Sequence, residues 1–369
     1  MAVLALASGV CPRLATAESP TQTPVRAVDL LIVVDTSPRA ASTRAAFAAH
    51  LPGFVYRLLS VFPGDYGPAL DLQVGVITAN PDDHGELRSA TIATCAAAPS
   101  ARFAHYTSDQ WAMTTTNYTG ELAAAIQCLV PIDVVGPTTA QPAAMVNAAL
   151  DGSVAVNEGF LRADAALAVL VVSDQDDCSG SATTPFACAQ AAWTCTPPID
   201  ASPGARTSCV ANSEPVGLLS IDGASALLAL LKPDIQRVAV GAIRGPAAPV
   251  FVTSGPSLVP SCAFAGITAT PGLRLDAILA RFPNHWAASA CDASYDDFTE
   301  TIAAAAGVPI TVGERDMSST CDGGEGSHDD AASPERMGCG CRAGAAGAAG
   351  AGVNAAIVLA LMIRRRRAR

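Results

Sequence analysis

The sequence has 369 residues, of which half are hydrophobic and 15% are charged, and its mean hydropathy is +0.33. So much apolar surface excludes a disordered chain, because it must be buried in a core or a membrane. The formal net charge is −11 and Lys232 is the single lysine, which argues against a nucleic-acid partner, because phosphate binding requires a basic surface.

The first 17 residues are typical of a secretory signal peptide. Residues 2–10 are apolar, and Ala15, Thr16 and Ala17 form a small-x-small cleavage site before Glu18. No basic segment precedes the apolar run, so an unstructured N-terminus is the alternative. We expect residues 1–17 to direct export and residues 18–26 to form a short linker.

The central region alternates predicted strands and helices. Continuous apolar runs predict strands buried on both faces, at residues 29–34, 72–78, 165–172 and 238–243. Apolar residues at helical spacing predict helices, at residues 47–62, 121–129, 142–150, 224–231, 273–282 and 295–302. This alternation indicates an α/β fold with a doubly wound, mainly parallel sheet and helices on both faces. Asp35 and Asp174 each follow a strand, at the edge where such sheets carry functional groups.

The chain has twelve cysteines, a count that is ordinary in an exported protein. Eight of them fall in the sheet region: Cys95, Cys128, Cys178, Cys188, Cys195, Cys209, Cys262 and Cys291. The even count suits four disulfides in an oxidising compartment. Locality favours Cys95–Cys128 and Cys262–Cys291, with two bridges within residues 178–209. A zinc site is the alternative, but the spacings are not CxxC pairs and no histidine neighbours them.

The C-terminal part combines a polar spacer with an apolar segment. Residues 312–336 are rich in Gly, Ser and Asp, as in a flexible spacer. Residues 343–363 are uncharged and long enough to span a bilayer as a helix. Four basic residues follow at once and favour the cytoplasmic side: Arg364, Arg365, Arg366 and Arg367. We therefore expect a transmembrane helix at 343–363, with a soluble core helix as the alternative.

Several segments resemble the von Willebrand factor type A domain. The strongest are DLLIVVDTS (29–37), LQVGVIT (72–78) and NEGFLRADAALAVLVVSDQDDCS (157–179). These are most similar to secreted, cysteine-rich bacterial versions, and RVAVGAIRGP (237–246) and LRLDAILARFPNHWAASACDASYDDFTETIA (273–303) are similar to their closing elements. The resemblance implies a type A-like domain over residues 27–311, with disulfide-stapled loop insertions.

The type A family is marked by a metal-ion-dependent adhesion site. Its D-x-S-x-S motif, a threonine from another loop and a later aspartate supply hard oxygen ligands for Mg²⁺ or Ca²⁺. The resemblance implies Asp35 and Ser37 for the motif and Asp174 for the later aspartate. Either Thr119 or Thr139 matches the threonine.

The sequence departs from this motif at Arg39, which stands where the family has its last serine. An arginine cannot ligate a cation, so we expect a degenerate site, with binding of Mg²⁺ or Ca²⁺ as the alternative. Asp176 and Asp177 extend the acidic cluster after Asp174. We interpret them as part of a solvated turn that caps the next helix, with an auxiliary Ca²⁺ loop as the alternative.

The end of the chain has a second resemblance. MGCGCR (337–342), the apolar segment and the arginine run occur in the same order as in the C-terminal sorting signal of myxobacteria. The resemblance implies that residues 337–369 direct the protein to the cell surface, with processing of the tail. It also implies lipid attachment at a cysteine of the motif, Cys339 or Cys341.

The predicted function is non-enzymatic. We expect an exported, surface-anchored module that binds an extracellular protein or glycan at the carboxyl edge of its sheet, since neither a GxSxG nor an HExxH motif occurs. One alternative is an aspartate-dependent phosphohydrolase with Asp35 as nucleophile. That mechanism needs a second acid, where Ser37 stands, and a lysine, whereas Lys232 precedes a strand. The other alternative is a purely structural envelope protein.

Overall fold

The apolar runs of the sequence form the inner strands of a central sheet in the computed structural model, which describes residues 26–62, 70–109, 113–292 and 294–308. These residues belong to one compact unit. The predicted signal peptide at 1–17, the spacer at 312–336 and the sorting region at 337–369 lie outside the described residues.

Twelve strands occur in the described residues. They are β1 (Arg26–Val34), β2 (Leu70–Thr78), β3 (Phe103–Ser108), β4 (Thr114–Thr116), β5 (Ala166–Val172), β6 (Trp193–Thr196), β7 (Gly204–Ala211), β8 (Val238–Arg244), β9 (Val250–Val252), β10 (Cys262–Phe264), β11 (Ile267–Ala269) and β12 (Asn284–Ser289). The α-helices are α1 (Ala41–Ser60), α2 (Leu122–Leu129), α3 (Pro142–Leu150), α4 (Pro185–Ala192), α5 (Ile221–Leu230), α6 (Leu273–Leu279) and α7 (Phe298–Ala305).

The central sheet has seven strands in the order β12-β8-β5-β1-β2-β3-β4. The five strands from β12 to β2 are parallel, and β3 and β4 are antiparallel additions at one side. The chain first moves from β1 to β2 and later returns to place β5 on the other side of β1. The strand order therefore reverses between β1 and β5, which makes this pair the switch point of the sheet.

Successive residues of β1 point to opposite faces of the sheet, and both faces are covered. Val28, Leu30, Ile32 and Val34 pack in a core with α1, α2 and α7. Leu31 and Val33 pack in a second core with α3, α5 and α6. The expectation of a mainly parallel sheet with helices on both faces is therefore confirmed.

A long insertion between β5 and α5 contains α4, β6 and β7. Its strands join β9 in a separate antiparallel sheet of order β6-β7-β9. This small sheet has its own apolar cluster, to which Trp193, Val250 and Val252 contribute. The insertion lies after β5 and therefore above the carboxyl edge of the central sheet.

Four disulfides join the eight cysteines of the sheet region: Cys95–Cys128, Cys178–Cys188, Cys195–Cys209 and Cys262–Cys291. The first and last are the pairs that locality favours, and the other two lie within residues 178–209. Because every one of these cysteines is oxidised, none remains to bind zinc. The bridges stabilise the long connections between strands, and their number is compatible with an extracellular protein.

The helices in the described ranges do not include one with both the length and the apolar character that crossing a bilayer requires. The predicted transmembrane segment at 343–363 lies outside those ranges.

Candidate functional site

Asp35 and Asp174 meet at the switch point of the sheet. β1 and β5 are paired in parallel so that Val34 lies opposite Val172. The backbone N–H of Asp35 donates to the carbonyl oxygen of Val172 at 2.9 Å, which extends this pairing by one residue. Asp35 is thus level with Ser173, and Asp174 follows one residue further along the neighbouring chain segment.

Both carboxylate oxygens of Asp35 accept hydrogen bonds. Oδ1 accepts from the backbone N–H of Ser37 at 2.7 Å, which folds the chain into a tight turn after β1. Oδ2 accepts from the hydroxyl of Ser173 at 2.7 Å and from Nε2 of Gln175 at 3.2 Å. Asp35 therefore connects the loop after β1 to the loop after β5.

Arg44 supports the same turn from within α1. Its Nη1 donates to the carbonyl oxygens of Asp35 at 2.9 Å and Ser37 at 3.0 Å, and its Nη2 donates to that of Val134 at 3.0 Å. Burial lowers the pKa of Arg44, while the charges of Asp35 and Asp174 oppose that shift. Arg44 is not among the predicted site residues, although it lies three residues before Phe47 and hence on the buried stripe of α1.

Asp174 is fully buried, and neither of its carboxylate oxygens has a hydrogen-bond partner among the described residues. Burial, reinforced by the charge of Asp35, raises the pKa of Asp174 to about 8, against the opposing charge of Arg39. Nε of Arg39 is 3.8 Å from Oδ2 of Asp174. The hydroxyls of Thr36 and Ser37 are also buried without a partner in this part of the chain. Unpartnered buried oxygens are rare in proteins and often mark a functional site.

The two candidate threonines lie in different places. Thr119 is exposed and follows β4, which is separated from β1 by two strands. Thr139 is buried in the loop before α3, and its hydroxyl donates to the carbonyl oxygen of Ala182 at 3.5 Å. The same loop contacts the turn after β1, because the backbone N–H of Gly136 donates to the carbonyl oxygen of Thr36 at 2.7 Å. Thr139, not Thr119, is therefore on a loop that reaches the switch point.

The interpretation of Asp176 and Asp177 as a solvated turn is wrong, because both side chains are buried. Asp176 accepts hydrogen bonds from Nε1 of Trp193 at 2.7 Å and from the backbone N–H groups of Arg274 and Leu275 at 2.8 Å each. Burial raises the pKa of Asp176 to about 6 in spite of these bonds.

Asp177 is held by partners of its own. Its carboxylate pairs with Nε of Arg274 at 2.7 Å and accepts from the hydroxyl of Ser179 at 2.6 Å. Asp176 and Asp177 thus fix α6 and the insertion to the loop after β5. Arg274 and Leu275 are 97 to 99 residues away in sequence, which is why the sequence did not reveal these contacts.

The oxygen atoms at the switch point suit Mg²⁺ or Ca²⁺, since Asp174, Ser37 and Thr36 have free lone pairs. The charge does not suit a cation, because the guanidinium of Arg39 already lies beside Asp174. Within the described residues, no three side chains of the types His, Cys, Asp or Glu are grouped to hold a metal.

Lys232 lies at the opposite edge of the sheet from Asp35. Its buried ammonium group donates to the carbonyl oxygen of Arg162 and is 3.9 Å from Oδ2 of Asp29. Asp29 is the fourth residue of β1, whereas Asp35 follows the end of that strand. The single lysine of the sequence therefore cannot assist chemistry at Asp35.

Comparisons with known proteins give little similarity. No family model matches the chain, and no curated protein matches it. Among solved structures, it is similar to proximal thread matrix protein 1 from the mussel byssus, with 12% sequence identity and a TM-score of 0.27. The match covers 77% of this chain and 46% of the mussel protein, so this chain spans less than half of that protein. A TM-score this low does not establish a shared fold.

Proposed function

We propose that the chain is an exported, cell-surface protein with a von Willebrand factor type A-like domain that binds a partner without catalysis. The observation that carries this proposal is the group of unpartnered buried oxygens at the switch point, on Asp174, Ser37 and Thr36. In doubly wound sheets, ligands bind outside the carboxyl ends of the strands at this point. The disulfides and the predicted signal peptide at 1–17 support export.

The surface beside these oxygens combines a cation with apolar side chains. Arg39 has 41% of its side chain exposed, and Ile132 and Val135 are 43% and 70% exposed. The loop that carries Ile132 and Val135 is held against the turn after β1 by Arg44 and Gly136. We call Arg39, Ile132 and Val135 the edge surface.

The edge surface favours a protein partner that presents an acidic side chain next to apolar ones. A guanidinium binds carboxylates through paired N–H donors, and exposed aliphatic side chains gain free energy when a partner covers them. A glycan is the other class of partner. The tail at 337–369, by its resemblance to a sorting signal, supports attachment to the membrane or the cell surface.

Binding assays with edge variants test this proposal. The purified full chain is screened against an immobilised acidic peptide library and a glycan array, and each bound probe is measured again with Arg39→Ala and Val135→Asp. We expect Arg39→Ala to weaken binding by about tenfold or more, because a hydrogen bond to a charged group contributes about 1.5–3 kcal/mol. Arg57→Ala is the matched control, since Arg57 lies on α1 away from the edge surface, is similarly exposed and is paired with Glu300.

Three outcomes would contradict the proposal. Probes that bind wild type and all edge variants with equal affinity would show that recognition occurs elsewhere on the protein. Turnover of a phosphate ester by the wild type, lost in Asp35→Asn, would establish the phosphohydrolase instead. An intact chain that binds no probe and turns over no ester would favour the structural envelope protein.

A further inference from the structure

Arg39 lies at the mouth of the switch-point site. It precedes α1 by two residues and stands where the metal-site motif has its last serine. Its Nε is 3.8 Å from Oδ2 of Asp174, and its side chain is 41% exposed whereas that of Asp174 is fully buried. Among the described residues, Asp174 is the carboxylate that lies within 4.0 Å of the Arg39 guanidinium.

The site contains two carboxyl and two guanidinium side chains. Asp35 and Asp174 leave neighbouring strands, and the charges of both act on buried Arg44. Arg44 uses its guanidinium to bind backbone carbonyls below the turn, whereas Arg39 faces Asp174 from the solvent side. A buried carboxylate is costly unless a cation or hydrogen-bond donors accompany it. Arg39 is the group that lowers this cost at Asp174.

A divalent cation at the same oxygens would compete with Arg39. Mg²⁺ binds oxygen at about 2.0–2.1 Å and Ca²⁺ at about 2.3–2.6 Å, so a cation held by Asp174 would lie within a few ångström of the guanidinium. Like charges at that distance repel strongly where water is excluded. The oxygens therefore favour binding of a divalent cation, whereas the guanidinium of Arg39 opposes it.

We propose that Arg39 is the resident cation of this site: it takes the place of a divalent metal ion at Asp174 and excludes it. This inference rests on the proposed function, because it concerns the same site. The wild-type chain then binds its partner without a metal. Removal of the guanidinium leaves the unpartnered oxygens of Asp174 and Ser37, with the neighbouring carboxylate of Asp35, as hard oxygen ligands open to Mg²⁺ or Ca²⁺.

Calorimetric titration of the full chain with MgCl₂ and with CaCl₂ tests this inference, and thermal unfolding with and without each salt gives a second readout. Wild type is compared with Arg39→Ser, Arg39→Lys and the double variant Arg39→Ser/Asp174→Asn. We expect no saturable heat from wild type or Arg39→Lys, because both keep a cation at this position. We expect Arg39→Ser to bind one ion with a Kd at least tenfold lower than any wild-type value, and to unfold at a higher temperature with the salt. The double variant should lose that binding.

Two results would overturn the inference. Binding of Mg²⁺ or Ca²⁺ by wild type as tightly as by Arg39→Ser would mean that Arg39 does not exclude the ion. A folded Arg39→Ser chain that binds neither ion would mean that the oxygens do not form a cation site. Arg39→Gln, which keeps the length of the side chain without its charge, replaces Arg39→Ser if the serine variant does not fold. Partner binding at the edge surface is measured in a separate assay. The proposed function is therefore tested independently of whether a metal ion binds.

Discussion

Three aspartates within four residues after β5 are all buried, but their surroundings differ. Asp176 has four hydrogen-bond donors and Asp177 has a buried arginine, whereas Asp174 has no hydrogen-bond donor and only the half-exposed Arg39 at 3.8 Å. The first two have the satisfied environment that buried carboxylates require for stability. Asp174 lacks it, which is typical of a residue retained for binding and not for stability.

The environment of Asp174 predicts a dependence of stability on pH. Its pKa is raised to about 8 in the folded chain, whereas an unfolded aspartate titrates near 3.9. Between these values the folded state holds a proton that the unfolded state has released, so the free energy of unfolding decreases as pH rises from about 4 to 8. Asp174→Asn cannot ionise and should remove this part of the decrease.

Thermal unfolding of wild type and Asp174→Asn at pH 5 and at pH 8.5 checks this prediction. The variant should be more stable than wild type at pH 8.5, by about 2–4 °C in Tm for each kcal/mol gained, and the difference should shrink at pH 5. Asp82→Asn, at an exposed position after β2, is the control and should follow wild type. A constant difference between Asp174→Asn and wild type at both pH values would contradict the assignment.

At the scale of elements, the inner strands are predictable and the outer ones are not. β5 and β8 follow the predicted runs to within a residue, because both faces of these strands are buried and their sequence is apolar throughout. β3 (FAHYTS) and β12 (NHWAAS) were not predicted, because they lie towards the sides of the sheet, are partly exposed and carry polar residues. Their pairing is set by tertiary contacts and not by local pattern.

The candidate site, too, could be predicted from the sequence only in part. The meeting of Asp35 and Asp174 could be predicted, because carboxyl ends of parallel strands share one edge. The direction of Arg39 could not, because it depends on the shape of the turn between β1 and α1. The link from Asp176 to Trp193 also could not, since it requires the insertion to fold back over β5.

Packing between β8 and α7 leaves no room for a side chain at Gly241. A Cβ atom there would lie 2.6 Å from the ring of Phe298, which is itself stacked on Trp286 at 5.6 Å between ring centroids. We expect Gly241→Ala to lower the free energy of unfolding by about 1–3 kcal/mol, as overpacked cores do. Urea denaturation measures this change.

Gly53 in α1 provides the matched control. Outside the helix's own backbone, the atom nearest to a Cβ there would be a carboxylate oxygen of Asp296 at 4.0 Å. Gly53→Ala should therefore raise the free energy of unfolding by about 0.5–1 kcal/mol, because alanine favours the helix. Equal effects of the two substitutions would argue against the close contact at Gly241.

At the scale of the whole molecule, covalent cross-links connect segments that the central sheet does not hold. Cys95–Cys128 ties the segment between β2 and β3 to α2 across 33 residues, and Cys262–Cys291 ties β10 to the chain after β12 across 29. Such bridges restrict the unfolded chain, which stabilises the folded state by about 2–4 kcal/mol each.

The double variant Cys95→Ser/Cys128→Ser should accordingly lose about 2–4 kcal/mol of unfolding free energy in urea. Wild type unfolded in the presence of a thiol reductant should have a still lower denaturation midpoint, since all four bridges are then open. An unchanged midpoint under reduction would show that the cross-links do not contribute to the stability of the fold.

The burial of Lys232 has a practical consequence for work with this protein. Lys232 is the single lysine of the sequence that amine-reactive dyes, cross-linkers and coupling surfaces can modify. The fold encloses its ammonium group between Asp29 and Arg162. Acylation of that side chain requires the domain to open at the amino edge of the sheet. The rate of lysine labelling therefore reports the rate at which this edge of the fold opens. Immobilisation is better directed to an engineered cysteine or tag.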